Sequence, residues 1–153
     1  MTGFDSSSIA QTIQLALTPI FILVAIGNFM NVLTGRLARI VDRSRLLQGQ
    51  HVTTEGPDRD RLVDELRQLD LRIKLINRAV LQLVLAAITI GVTVGLLFIA
   101  RLTHAGLDLV IAGTFFGAVL LLMLALVTFL RETRIATALL RIPETYLDLD
   151  RKS

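Results

Sequence analysis

The run TPIFILVAIGNFMNVLTGRLARIVDRSR, residues 18–45, begins as an apolar segment and ends as a basic helix, with no break between the two. Such a segment is long enough to cross a bilayer. A helix of this kind must leave the hydrocarbon and continue into water, and that restricts the chain more than any other feature. Pro19 sits early in it, where it removes one backbone hydrogen bond, a loss that membrane helices tolerate. Asn28 and Asn31 lie near its inner end and cost free energy there unless water or another helix satisfies them. Two further apolar runs follow. Spans are therefore expected at about residues 11–33, 79–100 and 107–130. Hydrophobic residues make up 53% of the chain and its mean hydropathy is +0.65. The expected class is an all-α membrane protein forming a single domain over residues 1–153.

The first helix is expected from about residue 9 to residue 48, roughly 60 Å at 1.5 Å per residue, against a hydrocarbon core of about 30 Å. It overshoots the membrane. The residues GQHVTTEGPD, 49–58, carry two glycines and a proline and read as a loop, with Asp58 a plausible N-cap for the next helix. From there Leu62, Leu66, Leu69, Ile73, Ile76, Val80, Leu83, Ala87 and Ile90 alternate at spacings of four and three. This is a coiled-coil-like seam that starts in charged sequence and runs into the second span. Two of the three helices thus extend into an antiparallel cytoplasmic hairpin, residues 36–78. RLTHAG, residues 101–106, forms a tight outer turn, and residues 131–153 form a tail that is amphipathic until Pro143 stops it.

Charge sets the expected orientation. Residues 36–78 hold ten of the sixteen Lys and Arg, residues 131–153 hold five, and Arg101 is the last. The positive-inside rule then places the N-terminus outside and the C-terminus in the cytoplasm. Because the basic residues border apolar spans, they read as topology determinants and not as a nucleic-acid surface. The first twelve residues carry no Lys or Arg, so they lack the n-region of a cleavable leader and the first span is expected to be retained.

Catalysis finds little footing. With no cysteine, disulfide and thiolate chemistry are excluded. His51 and His104 fall in expected loops, and no metal-ligand spacing or phosphate-cradling loop occurs. Asp108 near His104 reads as a helix cap. No enzyme, cofactor or metal site is expected.

Three constellations remain. On a heptad, Gln11, Gln14, Thr18, Phe21, Ala25, Asn28, Val32, Gly35, Arg39 and Asp42 form one stripe of the first helix, which carries most of its polar groups. Asn31 lies beside the stripe and reads as interhelical glue, whereas Asn28 suits either glue or a water-filled path. Such a path requires several copies of the chain, with Gln11, Gln14, Thr18 and Asn28 lining it and Arg39 and Asp42 at its inner mouth. Second, Arg36, Arg39 and Arg43 share a face, where they either anchor the helix at anionic headgroups or form a ring of charge; Asp42 can pair with Arg39 or Arg45. Third, Gly91 with Gly95 and Gly113 with Gly117 make two GxxxG pairs, suited to close packing of spans two and three or of neighbouring subunits.

The first helix also resembles the N-terminal signature of a bacterial three-span inner-membrane family catalogued only as a domain of unknown function, DUF2721. Thr18, Pro19, Phe21, Asn31, Leu33, Arg36, Arg39, Asp42 and Arg43 carry the likeness. The resemblance implies a bacterial inner membrane and supplies no catalytic residues. In layout alone the chain is similar to proton-channel subunits of the flagellar-stator and outer-membrane-energising type, for which Thr89, Thr93, Thr114 and Thr128 would be the lumen hydroxyls. The expected function is a homo-oligomeric ion channel lined by the first helix, with the bilayer, other copies and inorganic ions as partners. The other expectation is a non-conducting scaffold or regulatory subunit whose hairpin binds a partner.

Overall fold

A computed structural model describes residues 6–51, 57–103 and 106–138. All three elements are helices: α1 (Ser6–His51), α2 (Pro57–Thr103) and α3 (Asp108–Ala138). Each is long and apolar enough to cross a membrane, with mean hydropathies of 1.8, 2.6 and 2.6 over their most apolar stretches. The chain is an all-helical membrane protein. At 46 and 47 residues, α1 and α2 are each about 70 Å long and must project far beyond the hydrocarbon. Residues 52–56, His104 and the tail 139–153, including Pro143, lie outside the described residues.

Two local expectations are corrected. α2 opens on Pro57, so Asp58 lies in its first turn together with Asp60 and is not its cap. Proline suits that position because its missing N–H has no helical acceptor there, and the two carboxylates complement the positive helix end. His51 closes α1 and is not part of a loop. Pro19 lies within an unbroken helix.

Paired residues give the topology. Arg43 of α1 meets Glu65 of α2, while Gln82 and Thr93 of α2 meet Thr128 and Thr114 of α3. The numbers rise on one helix as they fall on the next, so the bundle runs up, down and up. α2 is the central element and packs on both neighbours.

The core follows from two sevenfold periodicities. Ile26, Leu33, Ile40 and Leu47 line the inner face of α1, and Leu69, Ile76 and Leu83 answer from the α2 seam. Of the other seam residues, Leu62, Leu66, Ile73, Val80 and Ala87 pack on the same cluster, and Ile90 is buried as well. The seam is therefore used inside the chain. α3 approaches through small residues: Ala118, Ala125 and Thr128 are buried, as are Ala79, Ala86 and Thr93 of α2. Within the spans, Thr93 donates to Thr114 Oγ1 at 3.0 Å, and Thr114 donates in turn to the Ile111 carbonyl of its own helix. Thr128 Oγ1 shares its proton between Gln82 Oε1 at 3.0 Å and the Leu124 carbonyl at 2.8 Å. Each interhelical bond of this kind contributes about 0.6 kcal/mol in a membrane. The hydroxyls that a stator-like lumen would use are spent between α2 and α3, except Thr89, which bonds the Leu85 carbonyl.

The glycine pairs do not join α2 to α3. A Cβ added at Gly91, Gly95, Gly113 or Gly117 would meet nothing within 4 Å. No close helix approach at these glycines is made within the chain. Gly91→Ala with Gly95→Ala is expected to leave the thermal unfolding of the monomer unchanged or to raise it, by up to about 1 kcal/mol per site from helix propensity. Circular dichroism in detergent measures this, and a fall in the unfolding temperature would mean that the glycines do touch a neighbour.

Candidate functional site

Among the described residues, polar groups converge most closely just beyond the apolar segments, at the end of the bundle where α1 turns toward α2. α3 does not stop at its span. Its buried small residues recur at Ala118 and Ala125, and the next sevenfold step is Glu132, which is 0% exposed. A buried carboxylate needs charged partners. Both neighbouring helices supply one. Arg72 of α2 donates from Nε to Glu132 Oε1 at 3.0 Å, and its Nη2 lies 3.0 Å from the same oxygen. Arg36 of α1 brings Nη2 to 3.1 Å from Oε2. The Arg36 N–H groups do not aim at that oxygen, so Oε2 has an ion contact but accepts no hydrogen bond among the described residues. Arg36 is fixed from two further sides. Its guanidinium lies 5.3 Å from the centre of the Phe129 ring, within cation–π range, and its Nη1 lies 3.5 Å from Thr133 Oγ1. One carboxylate thus ties all three helices at a single level.

Arg43 forms a second link one level further along the hairpin, with Nε and Nη2 at 3.0 and 2.8 Å from Glu65 Oε1. Both partners are about half exposed, and such pairs contribute at most about 1 kcal/mol. Asp42 pairs with neither Arg39 nor Arg45, which corrects that expectation. Two open grooves flank the cluster. One, of about 520 Å³, is lined by Val32, Arg36, Arg39, Ile40, Arg43, Leu69 and Arg72. The other, of about 450 Å³, is lined by Arg36, Arg43, Glu65, Gln68, Leu69, Arg72 and Ala136.

Apart from Arg39, the polar stripe of α1 lies elsewhere. Gln14, Thr18, Asn28, Arg39 and Asp42 are all exposed; Asn28 and Asp42 lie across α1 from Ile26, Leu33 and Ile40, whereas Arg39 stands about a quarter-turn from Ile40 and lines the first groove. The side chain of Gln11 lies outside the described residues. Asn31 is exposed as well, and its carbonyl accepts from Thr34 at 3.1 Å. Within one chain, then, no other helix covers Asn28 or Asn31. Glu132 and Arg72 were not singled out by sequence reasoning. A signal existed: Glu132 continues the heptad of small residues at Ala118 and Ala125 through the end of an apolar span. Orientation arguments count only Lys and Arg, and so pass over an acid at that position.

Fold and site together define a three-helix membrane protein whose helices are locked at one boundary by an Arg–Glu–Arg cluster. The chain belongs to the family described as Protein of unknown function (DUF2721), whose sequence model matches residues 16–142. No curated protein matches the chain, and no solved structure does.

Proposed function

We propose that this protein is a homo-oligomeric channel of a bacterial inner membrane, with the polar stripe of α1 facing a water-filled path. The carrying observation is the exposure of that stripe: neither α2 nor α3 covers Gln14, Thr18 or Asn28. An amide side chain left against lipid is costly, and water in a lumen or a second copy removes the cost. Three helices packed around a filled core enclose no path by themselves, so the reading requires several subunits. Exposed Asn31, Gly91, Gly95 and Gly113 offer small or hydrogen-bonding contacts between copies. The distribution of Lys and Arg supports the hairpin and C-terminus in the cytoplasm and the N-terminus outside. Arg39 and Asp42 would then stand at the inner mouth, with opposite charges that leave selectivity to the amide and hydroxyl groups above them. The role is non-enzymatic.

Purified protein in planar bilayers is expected to give unitary currents, with Asn28→Leu changing their conductance while the mass in detergent stays the same. Silent bilayers from a folded oligomer would overturn the channel.

A second reading draws on the hairpin. Leu46 is 65% exposed and Leu71 is 48% exposed, well beyond the expected spans. Apolar side chains in that position suit a scaffold or regulatory subunit whose hairpin docks another protein. Silent bilayers would favour it.

A further inference from the structure

Glu132 explains what lies behind Arg36 and Arg72, but not what lies in front of them. The larger groove gathers four guanidinium groups, Arg36, Arg39, Arg43 and Arg72, over a floor of Ile40 and Leu69. Like charges around one concavity repel, and the two nearby carboxylates only partly offset them. Glu132 is fully enclosed behind Arg36 and Arg72, and Glu65 holds Arg43 from the side. Arg39 has no ion pair among the described residues. The open face of the groove therefore presents more cations than anions. Its geometry favours one class of ligand. Guanidinium groups bind phosphate oxygens through paired N–H donors. Arg36 and Arg72 are already immobilised by Glu132, so a ligand need not order them.

Depth narrows the class further. Arg36 follows Leu33 by three residues, about 4.5 Å along α1 from the end of the apolar segment. A headgroup layer is about 5–7 Å thick on each side of the hydrocarbon. Val32, at the groove's mouth, is itself exposed on the apolar side. The cluster thus stands at the level of lipid phosphates and is open to water along the hairpin. Basic pockets between helices at this depth hold anionic headgroups in other membrane proteins.

We propose that the groove binds a phosphate-bearing anion. Two sources share that chemistry: the headgroup of an anionic phospholipid entering past Val32, and a free phosphate or phosphorylated solute entering from water. The site stands on the groove alone and requires no conduction.

The test uses the full chain. In the lipid arm, protein in nanodiscs of mixed phosphatidylcholine and phosphatidylglycerol is released into mild detergent, and its retained lipids are weighed by native mass spectrometry. Retention of phosphatidylglycerol over phosphatidylcholine is expected. In the solute arm, protein in neutral detergent is titrated with pyrophosphate, with chloride at equal ionic strength as control, and its unfolding temperature is followed. Binding in either arm supports the site and names its source. Arg39→Gln with Arg43→Gln leaves the Glu132 cluster intact and should weaken binding about thirtyfold, taking about fivefold per arginine. Arg101→Gln, at the far end of the bundle, should change it little. Three results would each overturn the site: no preference in either arm, full binding by the double variant, or an equal loss from Arg101→Gln.

Discussion

Glu132→Ala is expected to destabilise the folded bundle by about 3–5 kcal/mol. The reason lies in what it leaves behind. Arg36 and Arg72 approach the two oxygens of one carboxylate at 3.1 and 3.0 Å, and their side chains are only 24% and 18% exposed. Without the carboxylate, two cations face each other across a space that water reaches poorly. Both helices must then shift to solvate them, and α1 keeps only the weaker contacts of Arg36 with Phe129 and Thr133 of α3 at this level. Glu132→Gln keeps the shape and removes the charge, so it should fall between the wild type and Glu132→Ala. A triple replacement of Arg36 and Arg72 by Met and of Glu132 by Leu should recover much of the loss, because a packed apolar cluster avoids the desolvation cost of three charges. Unfolding in detergent, followed by helical circular dichroism, ranks the four proteins. An unchanged midpoint for Glu132→Ala would mean that the cluster does not lock the helices. A further fall for the triple variant would mean that the charges themselves hold the site together.

The second large effect is expected in the seam. Ile76 and Leu83 are 0% and 1% exposed and interlock with Ile26, Leu33 and Ile40. Truncating either to alanine should cost about 2–5 kcal/mol, from lost burial and from the cavity left in a close-packed interior. Leu46→Ala and Leu71→Ala remove as many carbons from exposed positions and should stay within about 0.5 kcal/mol. The contrast separates a seam that holds one chain together from apolar residues kept for another purpose. Equal losses at Ile76 and Leu71 would contradict the assignment of inner and outer faces. Because the seam is filled from within the chain, its variants should fail by unfolding and not by releasing intact subunits.

Much of this architecture is legible in the order of residues, because its causes are local. Hydropathy over about twenty residues specifies a span. Heptad spacing shows that residues 62–90 present one apolar face, and the alternation of polar and apolar positions shows that α1 carries a stripe. None of these requires knowing what lies opposite. The direction of the stripe does. Ile26 and Asn28 are two residues apart, and only the position of α2 decides that Ile26 is enclosed and Asn28 is not. The glycine pairs are a similar case, since a GxxxG spacing permits close approach without stating which helix approaches.

The Arg–Glu–Arg cluster lies furthest from local reading. Arg36, Arg72 and Glu132 belong to three helices: Arg72 is sixty residues from the acid, and Arg36 lies further from it still. By itself the sequence determined three long helices, the apolar lengths that cross a membrane, and the faces each can bury. The tertiary structure decided the axial register of those helices. Register is set by how small residues on α3 nest against α2 and by how α2 seats on α1, and a shift of one turn, about 5.4 Å, would part the carboxylate from both arginines.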